Sequence, residues 1–271
     1  MPVVSILAHP DDQMRCLGTM LECRAHLFFV SLTDGSGGFV QDPGIDPQRS
    51  ASIRDGEMAA LAADLQAGYL NLGEADEFLY DTPAVRLKLI EAIRWAGARL
   101  IFTRYAEDYN LDHVTISRLV RQCSMQACLP VLPTASQSLA AHPAVFMCEP
   151  FGAFSFPASC YVDIGALHAE KVRLLQHHAS REWAMQAALG SGLEQLCARL
   201  ATYRGELSGC QWAWVYPPGF YPHAGSWFDQ AVPGPALGGW YAEYPCPYLG
   251  RPPAPRSGYR AGGRSLAWLP A

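Results

Sequence analysis

Two kinds of apolar pattern alternate along the chain. Residues 3–7 (VVSIL) and 26–32 (HLFFVSL) are short, nearly continuous apolar runs rich in β-branched and aromatic side chains, which predicts buried strands. Between them, Leu17, Met20 and Leu21 recur at i, i+3 and i+4, the spacing of a helix with one apolar face. The alternation continues with a helix over about 51–65, a strand at 69–72, a helix over 83–95 and a strand at 100–103. Pro83 suits the first helical turn, where its missing N–H would have had no partner. Farther on, the pattern predicts a helix at 115–125, short strands near 145–148 and 160–164, and helices near 166–178 and 182–203.

Strands alternating with helices predict right-handed crossovers and an α/β fold, a mainly parallel sheet with helices on both faces. In such sheets ligands collect beyond the carboxyl ends of the strands. Two segments interrupt the alternation. Residues 33–47, TDGSGGFVQDPGIDP, are dense in turn-forming residues and predict a long surface loop. From Tyr216 onward, 20 of 56 residues are glycine or proline, which excludes a regular helix or a central strand. The expected organisation is therefore one domain over 1–215 and an irregular extension over 216–271, either anchored over the core by its tryptophans or a poorly ordered tail.

Composition narrows the function classes. With 271 residues, half of them hydrophobic, the chain can bury one substantial core. The net charge is -5, and Lys88 and Lys171 are the only lysines, so no broad basic surface for nucleic acid is expected. No apolar run reaches the roughly 18–20 residues of a membrane span, and no signal-type leader is evident, so a cytoplasmic location is expected. The nine cysteines lack any Cys-x-x-Cys pair and read as reduced, mostly buried thiols.

The candidate chemistry lies at two strand ends. After the first strand comes AHPDDQ (8–13), and after the strand at 100–103 comes TRYAEDYNLDH, ending at His113. If the sheet brings these ends together, His9, Asp12 and His113 form a two-nitrogen, one-carboxylate set that suits Zn²⁺ with one position open for water. Such a water, with its pKa lowered to about 7, is a nucleophile at neutral pH. Asp12 is then the ligand, and its neighbour Asp11 takes the water's proton as general base. The competing reading of these aspartates is a helix cap.

AHPDDQ together with NLDH (110–113) resembles the PIG-L or LmbE-like family of zinc-dependent N-deacetylases. The similarity extends through Arg54 and Glu57, DTPAVRLKLIEAIR (81–94) and HHASREW (177–183), covering roughly residues 3–215. It implies a Rossmann-like fold and removal of an acetyl group from an N-acetylated amino sugar or sugar conjugate, of N-acetylglucosamine type. It implies His9, Asp12 and His113 as ligands of Zn²⁺ or another divalent metal such as Fe²⁺, Asp11 as base, and Arg54 as a holder of substrate hydroxyls. Gln13 and Asn110 depart from the family pattern, which has Glu and His there. Asn110 can donate to an oxyanion but cannot deliver a proton, so leaving-group protonation falls to Asp11 or to another group, with Tyr109, Asp108 and His223 as candidates. Asp112 reads as an acceptor that orients a ligand histidine.

Weaker candidates have ordinary explanations. Arg54 can pair with Glu57 at i+3; His177 and His178 fit an ordinary helix surface; Asp34 and Ser36 fit a tight turn. The alternatives to a deacetylase are a non-catalytic or catalytically impaired metal- or carbohydrate-binding member of the same fold, and a nucleotide-binding module. The latter lacks a G-x-G-x-x-G after the first strand. The expected partner is a small-molecule or glycoconjugate substrate, with homo-oligomerisation left open.

Overall fold

In the computed structural model, the described residues are 1–23, 25–38, 42, 44–150, 156, 158 and 160–208, with the backbone of 213–216, 218–220 and 266–268. Five parallel strands form the centre of the molecule. They are β1 (Pro2–Leu7), β2 (His26–Thr33), β3 (Gly68–Glu74), β4 (Leu100–Arg104) and β5 (Ala144–Cys148), in the order β3-β2-β1-β4-β5. A short strand, β8 (Pro218–Phe220), joins antiparallel beyond β5, at an edge where a proline is tolerated. The chain winds outward from β1 through β2 to β3, then returns to the other side of β1 for β4. The gap between the ends of β1 and β4 is thus the topological switch point, where α/β sheets place their ligands.

The pleat sorts the core into two layers. Val3, Leu7, Phe29, Leu100, Phe102 and Phe146 face one side, covered by α1 (Leu17–Glu22), α2 (Pro47–Asp64) and, from the later chain, α5 (His168–Leu175) and α7 (Leu193–Ser208). Val4, Ile6, Ala8, Val30, Leu32, Ile101 and Val145 face the other, covered by α3 (Pro83–Trp95) and α4 (Leu111–Gln126). The expected α/β sheet with helices on both faces is the fold observed. A second, antiparallel sheet takes the strand near 160–164, β6 (Cys160–Asp163), between β7 (Ala213–Tyr216) and β9 (Leu266–Trp268).

Helix boundaries differ from the periodicity where caps act. α2 begins four residues before the expected position because Asp46 accepts the Arg49 N–H at 3.1 Å and Pro47 opens the first turn. α4 begins at Leu111, not 115, because Asn110 caps it, and this places Asp112 and His113 inside the first helical turn. The long helix expected over 182–203 is two, α6 (Ala179–Leu189) and α7, separated where Gly190 adopts a left-handed φ of 62°. All seven described cysteines are free. No helix among the described residues is long and apolar enough to cross a membrane.

Candidate functional site

The two strand ends converge as the motif spacing predicts. Past β1 the chain turns at once: the Asp12 N–H donates to the His9 carbonyl at 3.2 Å, and the Asp12 carboxylate accepts the His9 N–H at 3.1 Å. Past β4, Asn110 Oδ1 accepts the N–H groups of Asp112 at 2.8 Å and His113 at 3.2 Å, which starts α4 and aims His113 back at the switch point. His9 Nδ1, His113 Nε2 and Asp12 Oδ2 then form a triangle with sides of 3.1, 3.3 and 3.4 Å. Ligand atoms at about 2.0–2.1 Å from a tetrahedral zinc stand about 3.3–3.4 Å from each other. The triangle therefore has the size of one face of such a tetrahedron, and these three residues can hold a divalent metal.

Both imidazoles are backed by carboxylates. His9 Nε2 lies 2.9 Å from Asp76 Oδ1, and His113 Nδ1 lies 2.9 Å from Asp108 Oδ2. A proton on each outer nitrogen leaves the inner lone pair for a cation, the usual arrangement behind a histidine metal site. Arg104 Nη2, which can only donate, lies 2.6 Å from His113 Nδ1 and 3.0 Å from Asp108; a cation on Nε2 puts the imidazole proton on Nδ1, and the guanidinium then donates to Asp108 alone. Arg104 is fully buried and reaches Asp12 Oδ1 at 3.4 Å. Burial alone would raise the Asp12 pKa, but Arg104 and His113 hold it well below the usual carboxylate range.

Behind His9 the structure places Asp76 beside Asp112, the residue to which the sequence gives that position. Asp112 Oδ2 is 3.5 Å from His9 Nε2, and its two oxygens accept the N–H groups of Glu77 at 2.8 Å and Leu79 at 3.0 Å. Asp112 thus pins the loop after β3 against α4, and the pinned loop presents Asp76.

Asp11 sits beside the triangle between two guanidiniums. Arg54 Nη2 donates to its Oδ1, and Arg181 Nε lies 2.9 Å from its Oδ2. Burial pushes the Asp11 pKa up, while Arg181 and then Arg54 outweigh it, so the group stays ionised through neutral pH. Arg54 does not take the i+3 pairing with Glu57. It donates instead to the Gly35 carbonyl, while Glu57 accepts from Ser180 N and Oγ at 2.8 and 2.7 Å. Two glycines of the 33–38 segment leave room for this arginine: a Cβ on Gly35 would meet Arg54 Nη1 at 2.8 Å, and one on Gly38 would overlap it outright. Asp34 takes a turn role, accepting the Ser36 N–H at 2.9 Å, and the Ser36 carbonyl accepts from Ser50 Oγ at 2.8 Å.

Asn110 has both ends of its amide engaged, Oδ1 in the cap and Nδ2 donating to Glu77 at 2.9 Å. Tyr109, 71 % exposed, meets the His113 ring edge-to-face at 6.2 Å between centroids. His177 and His178 part company, contrary to a shared helix surface. His177 pairs with Asp64 at 3.0 Å, whereas His178 is buried where α5 ends and α6 begins, in contact with Gln13. Burial pushes the His178 pKa down to about 4. His223 lies outside the described residues. Sequence reasoning missed Asp76, Arg104 and Arg181, and considered Asp108 only as a proton donor. The available signal was slight: Arg104 is a charged residue ending a buried strand, and Arg181 falls inside HHASREW.

Residues 4–124 match the family model PIG-L, described as GlcNAc-PI de-N-acetylase. The match runs from β1 into α4 and so contains all three corners of the triangle. No curated protein matches the chain in sequence. Among solved structures, a conserved protein of Thermus thermophilus is 24 % identical with a TM-score of 0.66, covering 83 % of this chain and 99 % of its own. N,N'-diacetylchitobiose deacetylase from Pyrococcus horikoshii is 20 % identical with a TM-score of 0.68, covering 84 % and 87 %. GalB, the 4-carboxy-2-hydroxymuconate hydratase from Pseudomonas putida, is 16 % identical with a TM-score of 0.69, covering 83 % and 99 %. These likenesses show a shared α/β fold that extends past the residues of the family match.

Proposed function

We propose that the protein is a divalent-metal-dependent hydrolase that removes an acetyl group from an N-acetylated amino sugar or sugar conjugate. The observation that carries this reading is the triangle of His9, Asp12 and His113, with a carboxylate behind each histidine and an ionised Asp11 at its side. The PIG-L match and the shared fold with a chitobiose deacetylase support it. These three residues would hold zinc or ferrous iron, which would supply Lewis acidity toward a water and an acyl oxygen.

The chain's own groups do the rest. Asp11 takes the proton of the attacking water on a carboxylate oxygen and returns it to the departing amine. Arg54 fixes the Asp11 carboxylate in place instead of reaching for substrate hydroxyls, since its donors are committed to Asp11 and Gly35. Asn110 acts by capping α4 and so setting the direction of His113. A cytoplasmic location accords with the free thiols.

The test is acetate release from N-acetylglucosamine conjugates. Chelation should abolish it, and Asp11→Asn should lower it at least about a hundredfold while the metal stays bound. Because the same fold also carries a hydratase, failure to release acetate from any acetamidosugar, or release unaffected by chelator, would sink the reading.

A further inference from the structure

Arg181 is the residue at this pocket whose charge the protein leaves incompletely answered. It lies in the first turn of α6, and among the described residues its one ionic contact is through Nε, 2.9 Å from Asp11 Oδ2. Asp11 is already held on its other oxygen by Arg54, so a single carboxylate is shared by two guanidiniums. Neighbours on α6 bring no further anion: Glu182 is turned to the Leu193 N–H at 2.6 Å, and the nearby Glu57 is taken by Ser180. On the opposite wall, Glu77 is engaged by Asn110. The Arg181 side chain is 23 % exposed and lines the same cavity, of about 220 Å³, as His9, Asp12 and His113.

An arginine that meets its carboxylate as an ion pair at Nε, without a hydrogen bond there, keeps both terminal NH₂ groups for a second partner, and that planar fork matches a carboxylate or phosphate bidentately. We propose that Arg181 is a specificity residue that grips an anionic group, carboxylate or phosphate, on the sugar conjugate whose acetamide is hydrolysed. The proposal rests on the deacetylase reading for the reaction, and on Arg181 alone for the anion. Arg54 and Arg104 are poor candidates for the same task, because both are buried and their donors meet Asp11, Gly35, Asp12 and Asp108.

The experiment compares acetate release by the metal-loaded protein from N-acetylglucosamine, its 1-phosphate, its 6-phosphate and its 3-O-lactyl ether, which carries a carboxylate. Expected is a preference of about tenfold to a hundredfold in kcat/KM for at least one anionic substrate, expressed mainly in KM. Which substrate wins identifies the anion as phosphate or carboxylate. In Arg181→Gln the ratio of anionic to neutral substrate should fall to within about threefold of parity, and Arg181→Lys should keep part of it. The ratio isolates recognition from any effect on turnover through Asp11. Equal rates for neutral and all anionic substrates in the wild type, or a preference that survives Arg181→Gln, would overturn the proposal. Binding of the deacetylated amines, glucosamine against its phosphates and lactyl ether, is measured by calorimetry in parallel. If no substrate releases acetate, the deacetylase reading falls while the binding ratio in wild type and variants still decides the role of Arg181. If the glutamine variant does not fold, the lysine variant and the loss of the wild-type preference with added salt carry the test.

Discussion

Replacing Asp76 by asparagine should weaken metal binding without disturbing the fold. The Asp76 side chain is almost fully buried, with Oδ1 at 2.9 Å from His9 Nε2 and Oδ2 accepting the Gly37 N–H at 2.8 Å. An asparagine can serve only one of these donors with its single oxygen. If it serves Gly37, its NH₂ faces His9 Nε2 and drives the imidazole proton to Nδ1, the nitrogen a metal needs free. If it serves His9, the Gly37 N–H loses its acceptor, and the negative charge behind the imidazole is gone in either case. Losing a charge-assisted hydrogen bond of about 1.5–3 kcal/mol corresponds to about tenfold to a hundredfold in metal affinity. Competition for zinc against a chromophoric chelator at about pH 7.5 measures this directly. Asp112, whose Oδ2 stands farther from His9 Nε2 at 3.5 Å, gives the comparison: Asp112→Asn should weaken metal binding less than Asp76→Asn does, yet cost about 1–3 kcal/mol of stability by orphaning the N–H of Glu77 or Leu79. Wild-type affinity in Asp76→Asn together with a tenfold loss in Asp112→Asn would refute the assignment.

Other parts of the site make separate demands. Gly38→Ala should displace the Arg54 guanidinium and lower acetate release about tenfold or more, with metal stoichiometry unchanged by elemental analysis, because its Cβ would occupy the space that Nη1 fills. Asn110→Ala should lose about 1 kcal/mol of stability in a thermal melt, and Asn110→Ser, which keeps a cap, should recover most of it. Burial opposes protonation of His9, but Asp112, Asp12 and Asp76 together hold its pKa well above 6.5 in the metal-free protein. Protons therefore compete with the metal, and affinity should fall toward tenfold per pH unit below that raised value, a loss already under way at about pH 6.5. The sign for the metal-free fold is opposite. A raised pKa gives stability that is fully present below the unfolded value near 6.5 and lost as pH rises through the folded one, so the melting-temperature advantage of wild type over His9→Gln, in chelator, should shrink on going alkaline.

The parts of this architecture that depend on neighbours in sequence are legible in the chain alone. The apolar runs of β1, β2 and β4 are short and bounded, and the alternation with helices leaves few topologies. His9, Asp12 and His113 can be named because each lies within a few residues of a strand end or of the helix that follows it, and strand ends meet at a switch point. What the pattern does not supply is the layer behind them. Asp76 follows β3, two strands away from β1, and reaches His9 across a loop that Asp112 holds through the N–H groups of Glu77 and Leu79. Arg181 reaches Asp11 from the far end of the domain because Gly190 and the break after Leu175 set α6 as a separate helix. The same break hides the burial of His178. Periodicity reads a helix over 166–178 and another over 182–203, whereas the residues that punctuate them, 176–178 and 190–192, act through caps and a single left-handed glycine.

The most direct test of the account is the metal content of the purified full-length chain and of its Asp12→Asn and His113→Gln variants, measured by elemental analysis after exhaustive dialysis against metal-free buffer. The triangle predicts one divalent ion per wild-type chain and well under one in either variant, with folding intact by circular dichroism. A wild-type protein that holds no divalent ion after reconstitution, or variants that hold it as tightly as wild type, would contradict it.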